Sequence, residues 1–125
     1  MNSHSRKDAA IAFLRLVASG KVSEAYERHV AAGFRHHNPY FHADAASLKE
    51  AMQSNATKNP NKVLEVQRAL EDGDQVAVFS RVRQYPDDRG AAVVHIFRFE
   101  ENRIAELWDI GQPVPADSIN ENGMF

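Results

Sequence analysis

Two polar side chains, His95 and Asp109, lie within strand-forming apolar stretches of the C-terminal third of the chain. A carboxylate in an apolar pocket is poorly solvated, and this makes it a stronger base. An imidazole beside it can donate a hydrogen bond or a proton to an oxygen that gains negative charge. Together the two groups could remove a proton from the carbon next to a carbonyl, which is the chemistry of aldol cyclisation and keto–enol isomerisation. Neither reaction needs a metal or an organic cofactor, so we expect none.

A β-hairpin is predicted to position this pair. Its arms, residues 91–99 and 104–110, are rich in Val, Ile and Phe, and polar residues 100–102 separate them. Asn tolerates the left-handed backbone that a hairpin turn requires. We therefore expect a bulged turn with Asn102 in the left-handed position.

The turn type decides which side chains share a face of the hairpin. The bulged turn places His95 opposite Leu107 and Val93 opposite Asp109, so that His95 and Asp109 are diagonal neighbours, roughly 7–8 Å apart at the backbone. That face also carries five apolar side chains: Val93, Phe97, Phe99, Ala105 and Leu107. A two-residue turn would put the pair on opposite faces. We favour the bulged turn because it gathers the apolar residues on one side.

The rest of the chain predicts three helices followed by an antiparallel sheet. The helices begin near Asp8, Ser23 and Asp44 and end near Ser19, Gly33 and Ala56. Further strands are predicted over residues 63–70 and 75–85, joined by an Asp72-Gly73 turn. This order indicates one α+β domain over residues 1–125, with a frayed N-terminus at 1–7 and an irregular tail at 111–125.

Three histidines cluster in the segment 34–42, between the second and third helices. Pro39 restricts Asn38 to extended conformations, which favours a turn or a short strand. We expect His37 and Asn38 to close the pocket mouth or to orient the pair. The alternative is that Asn38 and Pro39 only shape a turn and that His37 caps a helix or strand end. The spacing of His36, His37 and His42 matches no zinc motif, so we predict no metal site.

Residues from several parts of the chain, most of them aromatic or apolar, are candidates for the pocket wall; the alternative is that most of the aromatic and apolar ones are ordinary core residues. The predicted substrate-binding set comprises Asn38, Tyr26, Phe34, Tyr40, Phe41, Met52, Val93 and Phe97.

The opposite face of the hairpin predicts a subunit interface. It carries Trp108 together with Val94, Ile96, Ile104 and Ile110. A broad apolar surface of this kind favours a homodimer. The alternative is that the tail, residues 113–125, covers this face within one chain.

Composition excludes several classes of protein. The chain has 125 residues, 43% of them hydrophobic, no cysteine and a formal net charge of −2. The charge gives no electrostatic reason to expect nucleic acid, and the absence of cysteine excludes disulfides. No apolar run approaches the ~20 residues of a membrane span, and the first residues, MNSHSRKD, lack the apolar core of a signal peptide. We expect a cytoplasmic protein without a membrane partner.

Three segments resemble a known family. The His37-Asn38-Pro39 triplet, the EDGDQVAV stretch at 71–78 and the IFRFEENRIAELWDIGQPVP stretch at 96–115 are similar to the SnoaL-like polyketide cyclases of the nuclear-transport-factor-2-like superfamily. The resemblance implies a cone-shaped α+β barrel, in which a curved sheet wraps around a long helix and encloses an apolar pocket. It also implies dimers through the outer sheet face. By position, Asp109 matches the general acid/base of those cyclases, and His95 matches the histidine beside it.

The sequence thus predicts a cofactor-independent enzyme that acts on a small or medium apolar carbonyl compound. Asp109 would be the acid/base, His95 its partner, and His37 and Asn38 supporting polar groups. A ring isomerase or a hydrolase could use the same pair. The alternative from another class is a non-catalytic protein that binds an apolar ligand, or a dimeric scaffold of the same fold.

Overall fold

The computed structural model describes residues 5–125, and its three helices and five strands confirm the α+β class. The elements in chain order are α1 (Arg6–Ala18), α2 (Val22–His29), β1 (Val30–His36), α3 (Ala45–Lys58), β2 (Val63–Asp72), β3 (Gln75–Arg83), β4 (Ala91–Glu100) and β5 (Arg103–Pro113). No helix in this part of the chain is long and apolar enough to cross a membrane.

The first helix begins earlier than the sequence predicted. Ser5 is its N-cap, and the Ser5 hydroxyl accepts a hydrogen bond of 3.1 Å from the backbone N–H of Asp8. Asp8 therefore lies in the first turn, where its negative charge interacts favourably with the positive end of the helix dipole. Of the predicted frayed segment 1–7, residues 1–4 lie outside the described residues, and residues 5–7 are ordered as the cap and first turn.

The five strands form one open, mixed sheet in the order β1-β5-β4-β3-β2. Strands β2 to β5 are antiparallel, as predicted, but β1 pairs with β5 in parallel. The prediction that the second helix runs to Gly33 was wrong: α2 ends at His29, and Val30 already has an extended backbone. β-Branched Val30 suits a strand, and β5 supplies the hydrogen-bonding partner that a local sequence pattern does not reveal.

The helices cover one face of the sheet and bury the core there. Phe13 of α1 is fully buried, with its ring centroid 6.0 Å from that of Phe97 on β4 and 5.6 Å from that of Tyr26 on α2. Val76 and Val78 of β3 complete this layer. The inner face of the sheet is therefore filled at the end that bears the β2–β3 and β4–β5 turns. Any cavity on this face must lie towards the opposite end, near the β3–β4 loop.

The β4–β5 hairpin has a register that differs from both sequence alternatives. Its turn is the two-residue type, flanked by the Glu100–Arg103 pair, and Glu101 rather than Asn102 is left-handed, with φ 57°. A bulge follows at Ala105, because Phe99 pairs with Ile104 whereas the next pair is Arg98 with Glu106.

With the two-residue turn alone, Leu107 and Asp109 would point to the outer face. The bulge shifts the register by one residue and turns both side chains to the inner face. His95 and Asp109 consequently lie directly opposite each other rather than diagonally. Ile104 is 1% exposed and belongs to the core, so the prediction that it lies on the outer face is wrong.

The C-terminal tail is partly regular and partly loose. β5 continues to Pro113, beyond the predicted start of the tail at 111. The last residue, Phe125, returns to the outer face of the sheet, where its ring stacks on Phe79 at 5.8 Å beneath the Arg81 guanidinium. The tail thus covers one part of the outer face near β3.

Replacing Phe97 with Ala should lower the free energy of unfolding by about 3–5 kcal/mol, because the ring is fully buried and its loss leaves a cavity. The matched control is Leu70→Ala, at a side chain that is 66% exposed, where a change within about 0.5 kcal/mol is expected. Denaturant unfolding followed by circular dichroism measures both. Similar small effects for the two variants would contradict the described core.

Candidate active site

The inner face of the sheet holds a cavity that contains both predicted catalytic side chains. His95 on β4 pairs directly with Asp109 on β5, so their Cβ atoms are roughly 4.5–5.5 Å apart. Both line a cavity of about 280 Å³. In the described part of the chain no hydrogen bond joins the two side chains, which leaves each free to contact a bound molecule.

The cavity wall comes from α1, the loop between β1 and α3, α3, and the inner side of the sheet. The lining residues are Leu14, Val17, Ala18, Asn38, Phe41, Leu48, Ala51, Met52, Asn55, Lys62, Leu64, Val82, Val93, His95 and Asp109. Most are aliphatic, and five are polar: Asn38 after β1, Asn55 on α3, Lys62 before β2, His95 on β4 and Asp109 on β5. The arrangement is that of a ligand pocket with a few convergent polar groups.

Asn38 fixes the position of the Asp109 carboxylate. The Asn38 Nδ2 donates a 3.0 Å hydrogen bond to Asp109 Oδ2. Asn38 is itself held at two points: its backbone N–H donates to His36 Nδ1 at 3.1 Å, and its Oδ1 accepts from the Tyr40 backbone N–H at 3.0 Å. With Oδ1 so engaged, only the NH₂ group can face the carboxylate. The parallel pairing of β1 with β5 brings the two residues together.

His36 supports this loop rather than the cavity. Its ring is buried, and because Nδ1 accepts from Asn38, Nε2 carries the proton and donates to the His42 carbonyl oxygen at 2.7 Å. His36 therefore holds together the two ends of the segment 36–42. Within residues 5–125, no three His, Asp or Glu side chains are grouped to hold a metal ion.

His95 is a neutral imidazole at neutral pH. Burial lowers its pKa to about 4, against the opposing effect of the nearby Asp109 carboxylate, and Lys62 lowers it further. Its Nδ1 is buried and has no hydrogen-bond partner in the described part of the chain. A buried nitrogen without a partner is costly, so a ligand or water that engages it would be stabilised. His95 can donate or accept a hydrogen bond, but it carries no positive charge.

Lys62 and Asn55 are two polar lining residues that the sequence reasoning missed. Lys62 precedes β2 and its Nζ donates a 2.7 Å hydrogen bond to Asn55 Oδ1. Asn55 lies on the stripe of α3 that also carries Leu48 and Met52, so its spacing of seven residues from Leu48 signalled an inward polar side chain. Lys62 had no comparable signal, since a lysine after a turn is usually solvated.

The structure does not bring His37 to this cavity. Successive side chains along β1 point to opposite faces, so His36 points inward and His37, which follows it, lies on the outer face. There the ring centroid of His37 lies 4.8 Å from that of Trp108, and the two rings stack. There His37 Nε2 pairs with the Glu106 carboxylate. This hydrogen bond and those from Arg98 and Arg35 lower the pKa of Glu106 to about 2. The expectation that His37 supports the catalytic pair was therefore wrong in its placement.

The predicted substrate-binding residues divide between cavity, core and surface. Asn38, Phe41, Met52 and Val93 line the cavity. Tyr26, Phe34 and Phe97 instead pack within the aromatic core, and Tyr40 is 84% exposed. Tyr26 still touches the wall from behind, because its hydroxyl donates to Met52 Sδ at 3.4 Å. Burial and the Asp109 charge raise the pKa of Tyr26, so its hydroxyl stays protonated.

A second, wider depression lies on the outer side of α1, with a volume of about 1100 Å³. Its wall is formed by exposed helix residues such as Arg15 and by the hairpin end at Asn102. Neither His95 nor Asp109 borders it. We place the candidate site in the smaller cavity, because Asn38, His95 and Asp109 converge there on a mainly aliphatic wall.

A family model for the SnoaL-like domain matches residues 10–107, which include most of α1 and most of the sheet. The chain belongs to the SnoaL-like domain family. The resemblance inferred from the three sequence segments is thereby confirmed. No curated protein sequence matches this SnoaL-like domain.

Solved structures share the fold of this SnoaL-like domain at low sequence identity. An NTF2-like protein of unknown function from Cytophaga hutchinsonii is 15% identical, with a TM-score of 0.69 and coverage of 90% of this chain and 96% of that one. A proposed polyketide cyclase from Acidithiobacillus ferrooxidans is 20% identical, with a TM-score of 0.68 and coverage of 90% and 92%. AclR, a proposed hydroxylase from Streptomyces galilaeus, is 19% identical, with a TM-score of 0.74 and coverage of 88% and 80%.

Burial of neutral His95 should make stability depend on pH. The unfolded state, with a histidine pKa of ~6.5, binds more protons than the folded state between pH 6.5 and 4, so the free energy of unfolding should fall as the pH falls. Between pH 7 and 5 the His95 contribution is roughly 2 kcal/mol. Denaturant unfolding at several pH values should show a smaller decline for His95→Gln than for the wild type. His42→Gln, at an exposed ring, should keep the wild-type decline; equal declines in all three proteins would contradict the buried neutral His95.

Proposed function

We propose that this SnoaL-like domain catalyses cofactor-independent proton transfer at a carbon next to a carbonyl, in an aldol-type cyclisation or a keto–enol isomerisation of a small apolar compound. The observation that carries the proposal is the direct pairing of His95 with Asp109 on the wall of a mainly aliphatic cavity. The Asn38 hydrogen bond to Asp109 supports it further, because it orients one carboxylate oxygen and leaves the other for a substrate proton.

Asp109 is the base in this scheme. Its carboxylate takes the proton from the carbon next to the carbonyl, and the bonding pair moves into the enolate. The neutral His95 donates an N–H hydrogen bond to the oxygen that gains negative charge. In isomerisation, the protonated Asp109 returns the proton to a different carbon. In aldol closure, the enolate carbon attacks a second carbonyl, and the proton passes to the new alkoxide.

The cavity limits the size of what can react. Its volume of about 280 Å³ is just below the ~300–1,000 Å³ of typical small-molecule sites. A small ketone, or the reacting end of a larger one, suits this space. The description of the Acidithiobacillus neighbour as a proposed polyketide cyclase agrees with ring closure of a polycarbonyl compound.

Asp109→Asn should lower the rate of proton exchange next to a ketone by at least about a hundredfold, because an amide cannot accept the proton. The measurement is deuterium uptake by small cyclic and linear ketones in D₂O, followed by NMR. Asn retains an oxygen that can accept from Asn38, so the cavity should keep its shape. Asp87→Asn, at an exposed loop residue, serves as the control and should exchange like the wild type.

The same variant separates catalysis from simple ligand binding. A binding protein without catalytic activity would promote no exchange in the wild type and would keep its affinity for a neutral ketone in Asp109→Asn. Exchange that survives the substitution unchanged would remove Asp109 from the role of base.

The outer face of the sheet supports a homodimer as part of the proposal. Ile110 is 62% exposed, and on the same face the His37 ring stacks flat on the ring of Trp108. Glu106 on the same face is 5% exposed and pairs with arginines of its own chain, so its burial adds no unpaired charge. Phe125 stacks on Phe79 of β3, whereas Ile110 of β5 stays exposed, which supports a partner subunit rather than the tail over this part of β5.

Ile110→Glu should convert the dimer to a monomer, because it places a charge within the apolar interface. Light scattering coupled to size-exclusion chromatography gives the mass directly. Ile119→Glu, at a fully exposed residue of the tail, should leave the mass of the dimer unchanged. A monomeric wild type at micromolar concentration would contradict the dimer.

A further inference from the structure

Lys62 places an ammonium group on the wall of the cavity that holds His95 and Asp109. The Asn59 carbonyl oxygen accepts a 3.2 Å hydrogen bond from the Lys62 backbone N–H, and this fixes the turn between α3 and β2. The Nζ then donates to Asn55 Oδ1 at 2.7 Å, and Asn55 also lines the cavity. The turn after α3 thus fixes the backbone of Lys62, and the Asn55 amide fixes the position of its ammonium group.

The charge of Lys62 has no counter-charge in residues 5–125. No carboxylate oxygen there lies within 4.0 Å of its Nζ, and Asn55 offers only a neutral amide. Other cations of comparable burial on the sheet do have carboxylate partners: Arg83 pairs with Glu65, and Arg98 pairs with Glu106. An ammonium in a mainly aliphatic cavity loses hydration without a compensating ion pair. Burial accordingly lowers the pKa of Lys62.

Asp109 does not fill this role, although it borders the same cavity. Its Oδ2 is engaged by Asn38, and the two charged groups sit on opposite edges of the wall, Lys62 before β2 and Asp109 on β5, with β3 and β4 between them in the sheet. This separation keeps Asp109 free to act as a base. It also leaves a positive charge directed at whatever occupies the space between them.

We propose that Lys62 is the anion-binding group of the cavity and that the ligand is a small, mainly apolar molecule with one acidic oxygen. That oxygen, an enol, phenol or carboxyl oxygen, pairs with Lys62, while the apolar part contacts Leu64, Val82 and Val93. That the carbon opposite this oxygen is deprotonated by Asp109 rests on the proposed function; the ion pair with Lys62 does not.

An ammonium without a counter-charge restricts the class of substrate that fits the cavity. A simple neutral hydrocarbon ketone would leave Lys62 unpaired, whereas a 1,3-dicarbonyl compound in its enolate form, a phenol or a keto acid would pair with it. The positive charge would also favour the enolate that forms when Asp109 removes a proton, because charge-assisted hydrogen bonds are stronger than neutral ones. His95, being neutral, cannot supply this charge.

Three small probes of similar shape test the ion pair: 4-nitrophenol, 4-nitrobenzoate and the neutral 4-nitrotoluene. Affinities are measured by calorimetry at pH 8, and the visible absorbance of bound 4-nitrophenol reports whether it is ionised. Lys62→Met removes the charge and keeps the length of the side chain. Lys62→Arg keeps the charge. Lys58→Met, at the exposed end of α3, is the matched control.

At least one anion should bind the wild type more tightly than 4-nitrotoluene. Lys62→Met should weaken that anion by roughly ten- to a hundredfold and leave 4-nitrotoluene unchanged. Lys62→Arg should retain most of the preference, and Lys58→Met all of it. Preference for the phenol alone identifies a phenol- or enol-type oxygen, and preference for the benzoate alone identifies a carboxyl group.

Two results would overturn the inference: no preference of the wild type for either anion, or equal losses for anion and neutral probe in Lys62→Met. These outcomes are distinct from failure of the proposed function. If Asp109→Asn leaves proton exchange unchanged but Lys62→Met loses the anion, the cavity is an anion-binding site without the proposed chemistry.

Discussion

The bulge at Ala105 is the constraint on which the candidate site depends. Without the bulge, a regular ladder continued from the two-residue turn at Glu101 would place Asp109 on the outer face, away from His95, and would turn Trp108 inward. With it, the pair points into the cavity while the buried Phe99 and Ile104 remain paired near the turn. One inserted residue thus allows the buried residues near the tight turn and the polar pair farther along the strands to share the inner face of the sheet.

The polar groups of the cavity have distinct electrostatic roles because each has a different partner. Asn38 steadies the carboxylate of Asp109 without neutralising it, and burial keeps His95 uncharged. Lys62 carries the positive charge, and its Nζ donates to the neutral Asn55 amide. A salt bridge between Lys62 and Asp109 would have cancelled both charges; the intervening strands prevent it. The outer face shows the opposite arrangement, since Glu106 is surrounded by cations.

The sequence predicted the elements that local patterns encode and missed those that depend on distant pairing. Apolar alternation located β4 and β5, and Asp72-Gly73 located the β2–β3 turn, because these signals lie within a few residues. The start of β1 was not predicted, because Val30 is extended through parallel pairing with β5, which lies far away in the sequence. The same pairing turned His37 outward and Asn38 towards Asp109. The prediction that His95 and Asp109 share a face is correct, but the predicted turn is wrong. The two-residue turn shifts the register by one residue, and the bulge at Ala105 shifts it back.

The parallel pairing of β1 with β5 also fixes when the site can come into being. Asn38 and Asp109 are separated by 71 residues, and their contact requires the first and last strands of the sheet to meet. Contacts between such distant segments form slowly, because the intervening chain must first lose its conformational freedom. During synthesis, β1 leaves the ribosome well before its only partner in the sheet exists. The β2–β3–β4 meander can form meanwhile. When β5 then inserts between β1 and β4, it completes the sheet and the cavity wall and forms the Asn38 contact in one late step of folding.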